Sequence, residues 1–424
     1  MIAAARRTLR RSPALKATVV YGLAGVGFAA ANLILARVLP TVEFAIFALG
    51  LSIVNFAVPV SPLGADGVVN RRHVVPSPWF VGRVLGTAAL VGAAAVTLAW
   101  PIFDVEAEFR YLLFVAIVAG GATWTAAAHL QSLHRFGSSL ALSESGNIVL
   151  GLAALLTAAL GVQRAWVPFA VFTGTYVAAA AVGWGMLLRA GRADPRETEP
   201  FSWFEALSYV AFTGSALLLV QLERLTLPYV RPLEDLATFA VLAAVAGSAF
   251  RMLYLGVGYS LLPRLRRAES VVARRRLLRD EAVVVAGVVA AASLGIWYVT
   301  PLLVELFVGG KYVLSPELVL AAIASGIAKV MAAFSKAVVT ALAGARELAQ
   351  LSVLGWVSVG VAVGAAVYGA RWGLAGVVYG VGLGWLTRAL AEGYIGALHL
   401  RDRPERPVPS PLAPVQEAPP NSPA

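Results

Sequence analysis

The chain has 424 residues, 59% hydrophobic and only 13% charged, with a formal net charge of +11. A soluble domain is about 45–50% apolar and about 25% charged, so this composition needs lipid as the solvent for much of its surface. With no cysteine and four scattered histidines (His73, His129, His134, His399), disulfide scaffolds, thiolate metal sites, cysteine nucleophiles and an H-E-x-x-H zinc helix are excluded.

The hydrophobic stretches are close to the roughly 20 residues that a helix needs to cross a bilayer. Gly and Ala fill them in place of the alternating polar residues of a membrane β-barrel. In chain order the predicted spans are 15–38, 44–63, 81–103, 111–131, 140–161 and 165–189, then, after a polar stretch, 204–227, 236–262, 282–306, 317–343, 349–369 and 373–398. The first span follows Arg6, Arg7, Arg10, Arg11 and Lys16 as a signal peptide would, but its apolar run is too long for an h-region, so an uncleaved helix is expected. From His399 onward the chain holds eight prolines without apolar periodicity and reads as a disordered tail.

Lys and Arg are distributed 22 to 6 between the two sides of these spans, which places both termini in the cytoplasm. That bias accounts for the basic segment Arg264–Arg279 as a topology determinant, with anionic lipid as a further contact, and argues against nucleic acid as a partner. The expected fold is an all-α polytopic membrane protein of about twelve transmembrane helices in two six-helix lobes. Its parts would be an N-terminal lobe (1–190), a cytoplasmic linker (191–203), a C-terminal lobe (204–398) and the Pro-rich tail (399–424).

The halves show faint self-similarity. Glu43-Phe44-Ala45-Ile46-Phe47-Ala48 opens the second span and Asp235-Leu236-Ala237-Thr238-Phe239-Ala240 opens the eighth. Leu142-Ser143-Glu144-Ser145-Gly146 parallels Leu351-Ser352-Val353-Leu354-Gly355 in the same way, six spans on. An even offset gives two lobes of parallel topology, an arrangement whose substrate site lies between them.

Ionisable groups inside spans are costly and face the bundle interior or a wet cavity. Lys329 and Lys336 are seven apart on the tenth span, two turns of helix, and project to one side. Arg251 lies deep in the eighth span, with Tyr254 and Gly258 on a similar face, and Arg388 lies in the twelfth with Glu392 one turn on. Together these four cations suggest a lining for a phosphate or diphosphate. Arg388 and Glu392 could equally neutralise each other, and Lys336 could snorkel. Arg224, beside Glu223 and Gln221, is placed by the span boundary at the outer rim. In the N-terminal half Asn32, Glu144 and Asn147 are candidate cavity or coupling residues, Glu144 also reading as a helix-start carboxylate. Asp66 is expected in a turn, as is the Gly369–Gly373 pair; Gly380-x-Gly382-x-Gly384 has no strand before it and is no nucleotide loop. No catalytic residue, metal ligand or cofactor motif is identified, so the expectation is a protein that is not an enzyme.

Asn32-Leu33-Ile34-Leu35-Ala36-Arg37-Val38-Leu39 followed by Glu43-Phe44-Ala45, Leu63-Gly64-Ala65-Asp66-Gly67 followed by Arg71, and Leu306-Phe307-Val308-Gly309-Gly310-Lys311-Tyr312 together resemble segments of a known family. It is the lipid-linked oligosaccharide flippases (O-antigen or polysaccharide translocases) of the multidrug/oligosaccharidyl-lipid/polysaccharide exporter superfamily. The likeness covers roughly residues 15–398. The sequence departs from the family pattern at Ala45, where a glycine is usual, and at Val308, which interrupts a Phe-Gly pair. The resemblance implies an inner-membrane exporter that moves an undecaprenyl-diphosphate-linked glycan to the outer leaflet for cell-envelope polysaccharide biosynthesis. Its implied partners are the lipid-linked glycan, membrane lipids and other polysaccharide-assembly proteins.

Three alternatives remain open. A multidrug or cation exporter of the same superfamily would favour embedded carboxylates over cations. A polymerase or ligase would need a large outer loop, and here every such loop is short, with only Asp104-Val105-Glu106-Ala107-Glu108 acid-rich. The third is a scaffold without transport.

Overall fold

The computed structural model describes residues 13–71, 74, 77–103, 106–189, 201–268, 270–342 and 345–400, and all of the described secondary structure is helical. Most of the expected linker, the tail beyond residue 400 and His73 lie outside the described residues. The helices of the first lobe are α1 (Pro13–Val38), α2 (Thr41–Val60), the short α3 (Ala65–Arg71), α4 (Pro78–Phe103), α5 (Ala107–Ser132), α6 (Phe136–Ser143), α7 (Ser145–Leu160) and α8 (Trp166–Arg189). Those of the second are α9 (Trp203–Val230), α10 (Leu233–Leu242), α11 (Ser248–Arg267), α12 (Val271–Val308), α13 (Pro316–Leu342), α14 (Ala345–Gly369) and α15 (Gly373–His399).

By length and apolarity nine helical segments among the described residues can cross a membrane, ten with the bent pair α6–α7. One of them, Ala349–His399, contains both α14 and α15, which pack on each other, and α1 adds a further pass, making twelve. The chain is thus a multi-pass membrane protein with both termini on the side enriched in Lys and Arg.

The two lobes repeat one pattern of helix pairing. In the first, α1 packs on α7, α2 on α5, α4 on α5, α5 on α8, and α7 on α8. In the second, α9 packs on α14, α11 on α13, α12 on α13, α13 on α15, and α14 on α15. Counted by span, each pair in one lobe has its partner six spans on, the relation expected of parallel repeats. The local signals match too: α2 and α10 each begin after a proline, Pro40 and Pro232, in near-identical extended conformation. Proline there pre-sets the backbone for the helix and sacrifices only an N–H that would have no helical partner.

Several spans differ from the sequence expectation. The fifth is broken, with α6 and α7 meeting at Glu144 at 44°. The eighth carries a π-helical turn, Ala243–Gly247, between α10 and α11, a distortion that sets side chains out of α-helical register. The helix of the ninth span, α12, is 38 residues long, about 57 Å at the usual rise per residue, so most of the basic segment expected as a loop is helical. Its start is fixed by Ser270, whose Oγ accepts the Ala273 N–H at 3.1 Å, a side-chain cap. Asp66 lies in the first turn of α3, buried, and its Oδ2 accepts the Trp124 Nε1–H at 3.1 Å, so it is no surface turn residue.

Gly369 and Gly373 flank a 3-10 turn, with Gly373 at φ +79°, as expected. The Gly380-Gly384 run is a packing face. A Cβ on Gly380 would lie 2.4 Å from the Ala366 amide nitrogen, and one on Gly384 would lie 2.3 Å from the Ala362 Cβ, so α14 and α15 approach with backbones nearly touching.

The lobes touch at both ends. On the terminal side α3 meets α9, where Gly64 (φ +82°) has no room for a Cβ against the Ala206 carbonyl. On the outer side α2 packs on α10. There the loop after α12 turns through Gly309 and Gly310, both in the left-handed region, and presents Lys311 to the end of α1. Lys311 Nζ donates to the Ala36 carbonyl at 2.9 Å and to the Leu39 carbonyl, while Tyr312 packs edge-on against Phe44. Glu43 does different work. Its carboxylate accepts the Ala165 N–H at 2.6 Å and meets Arg164 at 3.5 Å, tying α2 to the start of α8 within the first lobe.

Candidate functional site

A cavity of about 570 Å3 lies between the lobes. Its second-lobe wall comes from α9, α10, the π turn, α11, α13 and α15, and its first-lobe wall from α1, α2 and the broken fifth span. The volume suits a polar headgroup, within the roughly 300–1,000 Å3 of small-molecule sites. Both local irregularities border it: Glu144, at the α6–α7 break, and Ala243, Ala246 and Gly247 of the π turn.

The wall of the second lobe carries the charge. Lys329 of α13 points to the cavity, but it is not a free cation. Its Nζ lies 2.6 Å from Glu223 Oε1, with side-chain exposures of 26% and 3%, so of these two lining residues the lysine is the more exposed. Ser325, one turn before Lys329, donates to the same Glu223 oxygen at 3.3 Å. Beside this pair Arg224 also lines the cavity, its guanidinium 5.8 Å from the Phe28 ring and its buried Nε without a hydrogen-bond partner. Arg251 of α11, exposed to the cavity, has no carboxylate within salt-bridge distance among the described residues. Across the cavity Glu144 Oε2 accepts the Asn147 Nδ2–H at 2.8 Å. Three cations and two carboxylates leave the lining formally +1, and the second-lobe wall alone formally +2. Gln221 Oε1 and Trp385 Nε1 are further buried cavity residues with an unpartnered polar atom. Buried polar atoms are normally satisfied, and Arg224 Nε, Gln221 Oε1 and Trp385 Nε1 have no hydrogen-bond partner among the described residues.

Of the seven residues singled out from the sequence, the structure brings four together in the lining: Lys329, Arg251, Glu144 and Asn147. The other three are placed elsewhere. Arg388 is 2% exposed, bonded through Nε to Glu392 Oε1 at 2.9 Å and through Nη1 to Ser215 Oγ at 3.2 Å, so the reading as an internal neutral pair describes its position. Lys336 shares the α9-facing side of α13 with Lys329 as expected, but its Nζ lies 5.8 Å from the Phe212 ring, outside the cavity. Asn32 Nδ2 donates to the Phe28 carbonyl of its own helix at 2.8 Å and is buried outside the lining. Of the four cations expected to form one lining, Lys329 and Arg251 line this cavity, and Lys336 and Arg388 are not among its lining residues.

Glu223 and Arg224 are the residues that the sequence reading set at the rim. The seventh span was ended at 227, whereas α9 runs through Pro228 to Val230 and carries both residues well inside. Among the described residues no group of three or more His, Asp or Glu side chains is arranged to hold a metal.

No family model matches this chain, and no curated protein matches it in sequence. Solved structures match its fold. The lipid II flippase MurJ in an inward closed conformation aligns with TM-score 0.55 at 12% identity, covering 91% of this chain and 86% of that one. A MATE transporter in the bent conformation gives 0.52 at 15% identity, covering 93% and 97%. A eukaryotic MATE transporter gives 0.51 at 13% identity, covering 91% and 96%. At such identities the likeness is one of fold, and it extends over both lobes.

Proposed function

We propose that this chain is an inner-membrane transporter that carries a polyprenyl-diphosphate-linked oligosaccharide from the inner to the outer leaflet for cell-surface polysaccharide assembly. The observation that carries the reading is the +2 wall of Arg224, Arg251 and Lys329 with Glu223, facing an inter-lobe cavity. A diester diphosphate carries two negative charges and, away from bulk water, needs charge-assisted donors; guanidinium forks supply them in pairs. The fold of a lipid II flippase supports a lipid-linked substrate. In this mechanism the diphosphate and first sugars occupy the cavity while the polyprenyl tail stays in lipid between the lobes. The lobes then rock about the fixed site, opening the outer contacts of Lys311 and Tyr312. Lipids and other polysaccharide-assembly proteins are the partners this role requires.

The test is translocation of a lipid-linked oligosaccharide in proteoliposomes with Arg224→Ala and Arg251→Ala. Each is expected to lower the rate by roughly ten- to a hundred-fold, the worth of a hydrogen bond to a charged group. Normal translocation by both variants would sink the reading.

A multidrug cation exporter is the second reading, favoured by Glu144 and Glu223 in the lining and by the MATE fold. Electrostatics weighs against it. Glu223 is engaged by Lys329, Glu144 holds Asn147, and an organic cation would enter a lining of net positive charge. Efflux of an organic cation from the same vesicles, lost in Glu144→Gln, would favour this reading instead.

A further inference from the structure

We infer that Glu223 is the cavity's resident anion: it occupies Lys329 when the site is empty, yields it to the incoming anionic ligand, and takes it back to drive release. The inference rests on the anionic-ligand reading above and assigns Glu223 a role within that site.

The arrangement is asymmetric in a way that a purely structural ion pair need not be. Glu223 is buried, with 3% of its side chain exposed, while Lys329 is 26% exposed, and both line the cavity. An anion in the cavity therefore meets the Lys329 ammonium more readily than the Glu223 carboxylate. The charged groups around Glu223 are its neighbour Arg224 on α9, Lys329 on α13 and Arg251 on α11, with Glu144 across the cavity and Ser325 as the neutral donor. Arg224 and Arg251 share the cavity wall with this pair, and among the described residues neither is hydrogen-bonded to a carboxylate. To gain Lys329 as well, a ligand must loosen a 2.6 Å ion pair.

That competition matters for a carrier. A wall of three free cations in a low-dielectric cavity would hold a diphosphate too tightly to let it go, and a carrier has to bind and also release. An anion fixed in the wall lowers the affinity of the loaded state and restores the empty state without any external counterion. The exchange breaks and forms only ion pairs. Lys329 passes from carboxylate to phosphate and back, and the wall's formal charge of +2 stays constant throughout.

The experiment uses the full chain in nanodiscs with inorganic pyrophosphate as the headgroup probe, and in proteoliposomes with a fluorescent polyprenyl diphosphate sugar. Glu223→Gln keeps the side-chain shape and the oxygen facing Ser325 while removing the competing charge. The expectation is a split. Pyrophosphate binds on the order of ten-fold more tightly and dissociates correspondingly more slowly, KM for transport falls, and maximal transport falls with it. Glu223→Asp, which keeps the charge at shorter reach, is expected to lie between wild type and Glu223→Gln. The double variant Glu223→Gln with Lys329→Gln should lose the gain in affinity, because the freed ammonium is its source. Wild-type binding with equal or weaker binding by a folded Glu223→Gln would overturn the resident-anion role and leave the anionic-ligand reading standing. If neither protein binds pyrophosphate nor moves the lipid probe, the anionic-ligand reading falls and the role of Glu223 falls with it.

Discussion

Removing the ammonium at position 311 should release the outer contact between the lobes. Lys311 Nζ donates to the Ala36 and Leu39 carbonyls, which belong to the last turn of α1 and its exit, where helical carbonyls have no helical partner. A cation at that end is favoured by the helix dipole as well as by the two hydrogen bonds. Hydrogen bonds to charged groups are worth about 1.5–3 kcal/mol, but Lys311 is partly exposed, so about 1–2 kcal/mol is the appropriate figure for the contact. That corresponds to roughly a 5- to 30-fold change in the ratio of outer-closed to outer-open molecules. Burial also lowers the Lys311 pKa, so the ammonium and its charged contact are lost at a lower alkaline pH than for an ordinary lysine. The chain has no cysteine, so a single Ala322→Cys in the cavity lining gives an unambiguous reporter. Labelling of that cysteine by a membrane-impermeant maleimide from outside should accelerate in Lys311→Met and stay near the parent rate in Lys311→Arg. An unchanged rate in Lys311→Met, at equal expression, would refute the gating role of the contact.

Three further outcomes follow from packing and charge. Burial raises the Asp66 pKa to about 6 from an ordinary 3.8, against the lowering by its Trp124 hydrogen bond. The folded protein then binds more protons than the unfolded chain between about pH 4 and 6, so stability declines as pH rises through that window. Asp66→Asn, which keeps an acceptor for Trp124, should remove this slope and stabilise the protein above pH 6 by on the order of 3 kcal/mol, read from thermal melting against pH. Gly380→Ala should cost about 1–3 kcal/mol by forcing α14 and α15 apart, whereas Gly360→Ala, with nothing within 4 Å of the added Cβ, should melt like the parent. Arg388→Met alone leaves Glu392 buried and unpaired at a cost of about 3–5 kcal/mol, and adding Glu392→Met should recover most of it. Pyrophosphate affinity should stay at the parent value in the double variant, because neither residue lines the cavity.

The twelve-pass body was legible because its signal is additive. Each span contributes some twenty apolar residues, and the Lys and Arg bias sums over every loop, so an error at one boundary changes little. Local distortions were not legible for the opposite reason. Nothing in Ala243-Ala244-Val245-Ala246-Gly247 distinguishes a π turn from an α-helix in composition, and the turn is packed against α13, α1 and α12, which are distant in sequence. The bend at Glu144 was equally hidden. The carboxylate was recognised as a helix-start residue, but the helix it starts is the second half of a broken span. The basic segment after α11 was legible as a topology signal and not as a helix, because hydropathy ends where the membrane ends and α12 does not.

The site was half legible, and the missing half is instructive. Hydropathy finds charges that interrupt apolar runs, so Lys329 and Arg251 stood out, and Arg388 stood out equally although its charge is spent on Glu392. What separates them is a partner, and partners are set by tertiary geometry. Lys336 and Lys329 share one face of α13, yet α9 offers Phe212 to one and Glu223 to the other. A span ending at 227 places Glu223 and Arg224 nearer the outer rim than α9, which ends at Val230, does. Pro228 invites that boundary, but proline inside a helix leaves the following turn intact wherever neighbours compensate the lost hydrogen bond, and α9 continues to Val230. Glu223 and Arg224 are adjacent on α9, both line the cavity, and each lies in the other's field. The ion pair of Glu223 is nonetheless made with Lys329 on α13. Adjacent side chains on a helix do not face each other squarely, so the closest opposite charge comes from a neighbouring helix, and which helix that is depends on tertiary packing that the sequence does not print.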